Sequence, residues 1–156
     1  MQLRRIVTGH DSNGKAVVLI DEVIDNPIAG RPGALVAPIW ITEGFPVDND
    51  RDEDAAKRKA PIVVPNGTAF RIIEFKPGVQ ARNHRTSSID YTVVISGEVD
   101  MEMDGTVLHL RAGDVLVQRG TIHNWINNGK ESCVVAFVLI DAKPVSAGGL
   151  RLEAQG

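Results

Sequence analysis

Two short polar segments of the sequence carry the side chains best suited to chemistry. The first, residues 84–90, holds His84, Thr86 and Asp90 at positions of one parity. If this segment is extended, these side chains project from the same face of a sheet. An imidazole and a carboxylate on one face can hold a metal ion together, or exchange protons near neutral pH. Residues 84–90 are therefore the first candidate site.

The second polar segment, residues 118–127, interrupts two apolar runs. It contains Gln118, which could orient a substrate oxygen, and His123. Trp125 shares the parity of His123, so it either faces the same cavity or packs in the core. Trp40, in the N-terminal part, could close the mouth of a cavity or be a packing residue. The predicted substrate-binding residues are Thr86, Gln118, Trp125 and Trp40, and the predicted catalytic residues are His84, Asp90 and His123.

These segments lie within a pattern of short apolar runs. Glycine and proline recur at short intervals, and the residues between them are rich in Val, Ile, Phe and Thr, which predicts an all-β sandwich or barrel. Closing the sheet on itself would remove exposed strand edges. The dense strands are predicted at Thr68–Lys76, Ile89–Ile95, Val99–Met103, Val107–Arg111, Val115–Gln118, Ile122–Ile126 and Cys133–Ile140.

The regions outside this barrel differ in character. The first 67 residues are predicted to form a hairpin extension and a polar loop that pack on a barrel of residues 68–141. Within residues 48–59, acidic side chains precede basic ones, an order that suits a short exposed helix, although a loop or a lid over the barrel is the alternative. The tail, residues 142–156, is expected either to hang free or to add an edge strand to a neighbouring subunit.

The first polar segment resembles the first motif of the cupin superfamily. A glycine, a histidine and a second glycine hold their places in the motif, at Gly78, His84 and Gly97. Thr86 stands where a second histidine is expected, and Asp90 stands where a glutamate is expected. The resemblance implies a double-stranded antiparallel β-helix, or jelly-roll barrel, with an N-terminal β-hairpin extension.

The second segment resembles the second cupin motif, once one residue is dropped before Gln118-Arg119-Gly120, which replaces Pro-x-Gly. The matching positions are Gly113, Gly120, His123 and Asn127. Shorter strings, among them Val7-Thr8-Gly9-His10, are similar to a subgroup of small single-domain cupins, some of which are found beside aromatic or polyketide pathway enzymes. This likeness is an association and not a mechanism.

The resemblance also implies a metal site. Cupins usually hold a divalent metal with three histidines and a glutamate, which here leaves His84, Asp90 and His123 as ligands for Zn, Fe or Mn. Thr86 is a poor ligand, and aspartate is one methylene shorter than glutamate. Two metal-free alternatives remain: a histidine–carboxylate pair that acts as acid and base, or an interior hydrogen-bond network without turnover.

The leading functional prediction is an enzyme that acts on a small cyclic or aromatic compound, by oxygenase or by lyase, isomerase or cyclase chemistry. The competing class is a non-catalytic protein that binds a small ligand. The formal net charge of −3 names no nucleic-acid or membrane partner. The lack of a long apolar segment leads us to expect a cytoplasmic protein, and the resemblance implies a homodimer. Cys133, in an apolar run, is expected to be a buried thiol.

Overall fold

The computed structural model describes residues 1–25, 27–50 and 53–156. The predicted N-terminal hairpin and all of the strands predicted from Thr68 onward are present, with ends shifted by a few residues. The strands are β1 (Leu3–His10), β2 (Ala16–Ile24), β3 (Ile28–Ala29), β4 (Ala34–Glu43), β5 (Gly67–Phe75), β6 (Ser88–Ser96), β7 (Glu98–Met103), β8 (Thr106–Arg111), β9 (Val115–Arg119), β10 (Asn124–Ile126), β11 (Cys133–Asp141), β12 (Val145–Ala147) and β13 (Leu150–Leu152).

Two antiparallel sheets form the body of the molecule. One has the strand order β3-β4-β5-β11-β6-β9, and the other has the order β10-β7-β8. Apolar side chains from both sheets share one core, which confirms the predicted double-stranded β-helix. The core includes Phe75, Val94, Val99, Met101, Trp125, Cys133, Val135, Phe137 and Leu139. The expected burial of Cys133 is confirmed.

Strand β6 shows how the sequence pattern fills the interior. Its buried positions alternate with its exposed or half-buried ones, as a period of two requires. The buried positions begin polar, at Ser88, Asp90 and Thr92, and become apolar at Val94. Polar groups are therefore carried into the barrel at one end of β6.

The N-terminal hairpin is fixed to the rest of the chain by Arg5. Only 4% of this residue is exposed. Its guanidinium donates to both carboxylate oxygens of Asp54, at 2.8 and 2.6 Å, and pairs with Glu22 at 2.7 Å. These contacts join β1 to β2 and to the polar segment that follows β4.

In the polar segment, residues 48–59, the helix is shorter than an exposed helix across the whole segment would be. A 3-10 helix covers Ala55–Lys57, with Asp54 as its N-cap, and the chain is extended again at Arg58. Arg51 and Asp52 lie outside the described residues. Because Asp54 is held by Arg5, this end of the segment is attached to the hairpin.

The C-terminal tail folds back on its own chain. Strands β12 and β13 pair with each other, and the backbone of Gln155 exchanges two hydrogen bonds with that of Arg85, at 2.8 and 3.0 Å. The tail is therefore neither of the two forms that we expected from the sequence: it adds an edge to its own barrel. In the described part of the chain, no helix is long and apolar enough to cross a membrane.

Candidate functional site

The two motif histidines are neighbours because the segments that carry them pair. After the turn at Gly78, the chain runs antiparallel to the loop that links β9 to β10. The backbone N–H of His84 donates to the carbonyl of His123, and the reverse bond is also made, both at 2.9 Å. The two imidazole rings lie 4.2 Å apart between centroids. The fold therefore brings together one residue from each motif.

Backbone carbonyls select which ring nitrogen carries the proton. Nδ1 of His84 lies 3.0 Å from the carbonyl of Arg82, and Nδ1 of His123 lies 3.1 Å from that of Thr121. A carbonyl only accepts, so Nδ1 is the protonated nitrogen of His84. Nε2 of His84 is left with a lone pair, which is what a metal ion or an acidic proton requires.

Burial keeps both rings neutral. Removal from water, together with the neighbouring His84, lowers the pKa of His123 to about 4. Burial likewise lowers the pKa of His84, with the positive charges of Arg82 and Arg31 acting in the same direction. Two imidazolium ions at this separation would repel each other in a poorly solvated space. Both histidines are therefore neutral bases at pH 7.

Gln118 completes the histidine side of the site. This residue is only 2% exposed, and its amide nitrogen lies 2.6 Å from Nδ1 of His123. The same nitrogen donates to the carbonyl of Thr121, 3.4 Å away. Among the described residues, the amide oxygen of Gln118 is the atom of this side chain that has no partner.

Asp90 belongs to a separate hydrogen-bonded chain. The hydroxyl of Ser88 lies 2.5 Å from the Asp90 carboxylate and 2.9 Å from the hydroxyl of Thr86. Burial raises the pKa of Asp90, and the hydrogen bond from Ser88 and the charge of Arg71 act in the opposite direction. The carboxyl is thus a buried group that can take up a proton closer to neutral pH than an exposed aspartate can.

The predicted three-ligand metal set is not assembled. In the ranges that the structure describes, no three His, Cys, Asp or Glu side chains converge closely enough to hold an ion. Asp90 is engaged by Ser88, and Thr86 joins the same hydrogen-bonded chain. The pair of histidines is what the structure provides for a metal, with two nitrogen donors.

A cavity of about 460 Å³ adjoins Gln118. This volume lies within the usual range for small-molecule pockets, roughly 300–1,000 Å³. Methionine and leucine side chains form much of its wall, and the tail contributes to its edge. The lining includes Met101, Met103, Leu108, Leu116, Gln118 and Val145. Arg119 and Thr121 also line this space, so the apolar wall is interrupted by polar groups, and the lining does not include His84, Asp90 or His123.

The two tryptophans take different positions. Trp125 is a core residue, stacked on Phe75 at 5.7 Å between ring centroids and edge-on to Phe137 at 5.4 Å, and its ring also approaches that of His123 at 6.0 Å. Trp40 lies on β4, half-buried, in register with Phe70 of β5. Neither tryptophan lines the 460 Å³ cavity, so the substrate-binding roles predicted for them have no support from this geometry.

Several polar residues near the site were missed from the sequence. Arg71, on β5, donates to the carbonyl of Ile62 at 2.7 Å and acts electrostatically on Asp90. Arg31 approaches both histidines and lies over the ring of Phe75, 5.8 Å from its centroid. Thr92 has a buried hydroxyl that finds no hydrogen-bond partner in the described part of the chain. A basic residue in the middle of the apolar strand β5 was a usable signal for Arg71, whereas the loop position of Arg31 carried none.

The histidines are expected to titrate in a distinct order in metal-free protein. His109, on the surface, is hydrogen-bonded to Asp100 and close to Glu98, which raises its pKa above 6.5. We expect His84 to titrate below 6.5 and His123 at about 4. Proton NMR of the imidazole resonances measures all three. A His123 that titrates at its ordinary value would contradict the buried, neutral pair.

Protonation of the buried pair also predicts a direction for stability. The folded-state pKa of His123 lies below the unfolded value of 6.5, so the unfolded chain binds more protons between these two values. The contribution of His123 to the free energy of unfolding therefore decreases as the pH falls from 6.5 towards 4.

Comparison with known proteins identifies the family. The cupin-domain model matches residues 71–140. The chain is 38% identical to the cupin-domain-containing oxidoreductase fogC of Aspergillus ruber, over 96% of this chain and 77% of that protein. It is 37% identical to the cupin-domain-containing oxidoreductase virC of Hypocrea virens (90% and 77%) and 35% identical to the phomopsin biosynthesis cluster protein D of Diaporthe leptostromiformis (95% and 83%).

Solved structures agree on the fold. The Cupin 2 conserved barrel domain protein of Salinispora arenicola superposes with a TM-score of 0.53 at 18% identity, over 76% of this chain and 86% of that one. The polyketide cyclase RemF of Streptomyces resistomycificus gives a TM-score of 0.52 at 12% identity, over 83% and 76%. At these identities the likeness shows the architecture alone. With the family match and relatives above 30% identity over most of their length, the chain belongs to the cupin family.

Proposed function

We propose that this cupin is an oxidoreductase that acts on a small, largely apolar cyclic or aromatic compound, with a divalent metal held by His84 and His123. The observation that carries the proposal is the pair of neutral imidazoles, 4.2 Å apart, each with its Nδ1 close to a backbone carbonyl. Several relatives are named oxidoreductases or products of biosynthesis clusters, which supports the class of reaction.

The donor atoms fit a transition metal better than magnesium or calcium. Neutral imidazole nitrogens suit Zn, Fe and Cu, and they must be unprotonated to bind. The lowered pKa values of both histidines meet this requirement at neutral pH. When bound, an iron or manganese ion would supply redox chemistry, and zinc would supply a Lewis acid. Two protein nitrogens leave the remaining coordination positions to substrate or solvent.

The other polar residues of the site have roles around the substrate. Asp90, with its raised pKa, is proposed to hold or move a substrate proton, and Ser88 fixes the orientation of its carboxyl. Gln118 lies between His123 and the cavity and is proposed to orient a substrate oxygen.

Elemental analysis of untagged protein tests the proposal. We expect about one Fe, Mn or Zn per chain after purification or after reconstitution and desalting, and oxygen- or acceptor-dependent turnover of a cyclic substrate only in the metal-loaded form. Negligible retention of all three metals would contradict the proposed centre. Ligand binding without turnover in the loaded protein would favour the non-catalytic class instead.

We also propose that two copies associate through apolar surfaces. Side chains on the outer faces of β6 and β9 are between 43% and 76% exposed, namely Tyr91, Val93, Ile95, Val115 and Val117. The hairpin of β1 and β2 exposes a second group, Ile6, Val18, Leu19 and Val23. Contiguous apolar patches on a folded protein commonly mark interaction surfaces.

A charge placed in the first patch is expected to separate the copies. Val117→Glu should shift the mass measured by light scattering from two chains to one, because an unpaired carboxylate would be buried in the interface. Val107→Glu is the matched control, since Val107 is equally exposed at 59% but lies on β8, outside both patches. A monomeric parent protein, or equal effects of the two substitutions, would contradict the association.

A further inference from the structure

A second, smaller cavity of about 160 Å³ adjoins the 460 Å³ cavity. Arg119 and Val145 line both spaces, so that one ligand can extend from the larger cavity into the smaller one. Methionine and leucine side chains form much of the larger wall, whereas serine, threonine and two basic residues contribute to the smaller one. The two cavities therefore place a mainly apolar space next to a polar one.

The two basic residues of the smaller cavity are Arg119 and Lys143. Among the described residues, no acidic side chain lines either cavity, and neither cation forms an ion pair with a described carboxylate. Cations of one sign around a concave space raise the local concentration of anions there. The smaller cavity therefore favours a negatively charged group over a neutral or a positively charged one.

Backbone pairing fixes the positions of both cations. Arg119, at the end of β9, is in register with Ile89 of β6. Lys143 follows Ala142, whose backbone N–H donates to the carbonyl of Ser87 at 3.1 Å. The segments that carry the two cations are thus both bonded to the start of β6, which keeps the cations at one cavity.

The two cavities also reach the two halves of the candidate site. Thr86 and Ser88 line the smaller cavity, and the hydroxyl of Ser88 is bonded to the carboxylate of Asp90. Gln118 lines the larger cavity and contacts His123. A ligand that fills both spaces would therefore lie against groups that are bonded to Asp90 on one side and to His123 on the other.

We infer that the two cavities together bind a small amphipathic carboxylate, whose ring system lies in the larger cavity and whose carboxylate is held by Arg119 and Lys143 in the smaller one. The inference rests on the proposed function and names the substrate class for that site. The planar guanidinium of Arg119 can donate to both carboxylate oxygens, and Lys143 adds a second positive charge. The apolar walls accommodate the ring system, with adaptable methionine side chains.

Two probes of nearly equal size and different charge test the inference. Isothermal titration calorimetry at pH 7 with 2-naphthoate and with 2-naphthamide, on the full chain after metal removal, is expected to show about tenfold tighter binding of the carboxylate. Added sodium chloride should weaken the binding of 2-naphthoate alone. Without metal, a preference for the carboxylate cannot come from coordination to an ion.

A double substitution tests the two cations. Arg119→Gln combined with Lys143→Gln is expected to bring the ratio of affinities close to one without weakening 2-naphthamide. The matched control combines Arg111→Gln with Lys130→Gln, which removes the same net charge from two exposed residues outside both cavities and should leave the ratio unchanged. Circular dichroism confirms that both variants are folded.

A second pair of variants tests the place of the ring system. Leu108→Trp should weaken both probes by filling the larger cavity, whereas Val107→Trp, on the exposed side of the same strand, should leave both unchanged. Equal affinity of the parent protein for the two probes, or no binding of either, would overturn the inference. So would a preference that survives the double substitution or is lost equally in its control, or equal effects of the two tryptophans. Because binding is measured without metal, failure of the proposed metal centre would leave these results unaffected.

Discussion

Replacing His123 by alanine should weaken metal binding by more than a hundredfold and reduce metal-dependent turnover to background. His123 and His84 are the two nitrogen donors that the structure brings together, and one imidazole cannot hold a divalent ion in place against water. Loss of residues that merely support a ligand typically costs 10–100-fold in metal affinity or activity, so loss of a ligand itself should cost more. His84→Ala should have an effect of similar size.

Competition with a chelator of known affinity measures the metal dissociation constants, and initial rates measure turnover. His109→Ala is the matched control, because His109 lies on the surface next to Asp100 and Glu98 and takes no part in the site. If His123→Ala bound metal as tightly as His109→Ala, the metal would have to lie elsewhere. The proposed roles of both motif histidines would then be wrong.

Replacing Arg5 by methionine should lower the free energy of unfolding by about 3–5 kcal/mol, the range for removing one partner of a buried ion pair. The guanidinium makes a bidentate contact with Asp54, a further one with Glu22, and donates to the carbonyl of Ile39 at 3.2 Å. Without it, the carboxylate of Asp54, whose side chain is 13% exposed, stays in place with little access to water.

The neighbouring residue supplies the control. Arg4 also makes a bidentate pair, with Asp21, but both side chains are largely solvated. Exposed pairs of this kind contribute little to stability, so Arg4→Met should leave the urea midpoint nearly unchanged. Equal destabilisation by the two substitutions would show that Arg5 does not anchor the hairpin.

Acid should remove the stabilisation that the ion pair of Arg5 and Asp54 provides. The guanidinium of Arg5 holds the pKa of Asp54 below its ordinary value of 3.8. A carboxyl whose pKa is lower in the folded than in the unfolded state stabilises the fold at pH values above its unfolded-state pKa. This contribution is lost as the pH falls through its folded-state pKa. The difference in stability between the parent protein and Asp54→Asn should therefore narrow below pH 3.8.

Much of the fold was predictable because each strand carries its own signal. On β6, alternation between Asp90 and Tyr91 placed the polar side chains on one face of the sheet, and glycines such as Gly97 marked the turns. A Cβ atom added at Gly97 would lie 2.5 Å from the carbonyl oxygen of Ser132. The backbone φ of +72° at this position also favours glycine. Local steric requirements of this kind can be recognised from a sequence.

The motif asparagine illustrates a role that spacing alone did not reveal. Asn127 is buried, donates to the carbonyls of Phe75 and Glu131 at 2.8 and 2.9 Å, and accepts from the N–H of Gly129. It therefore ties the turn after β10 to the end of β5. Its place in the motif is structural, and it supports the loop that leads from His123.

The site was harder to predict than the fold because its chemistry depends on contacts between distant segments. Parity placed Asp90 on the same face as His84, but the hydroxyl of Ser88 engages its carboxylate and no three-ligand group forms. Gln118 was predicted to orient a substrate oxygen, whereas the structure shows that its amide nitrogen contacts His123 and donates to the carbonyl of Thr121. Such tautomer and hydrogen-bond choices cannot be read from residue spacing.

The pairing of the tail at Gln155 has a consequence for how the histidine segment moves. Arg85 is bonded to the tail on one side, and the adjacent His84 is bonded to His123 on the other. The amide protons of His84 and Arg85 become exchangeable only when the strand segment at His123 or the tail at Gln155 separates from them. Transient detachment of the tail would therefore loosen His84 while leaving the core sheets closed. The order of the histidine segment then depends on this local opening and not on global unfolding of the protein.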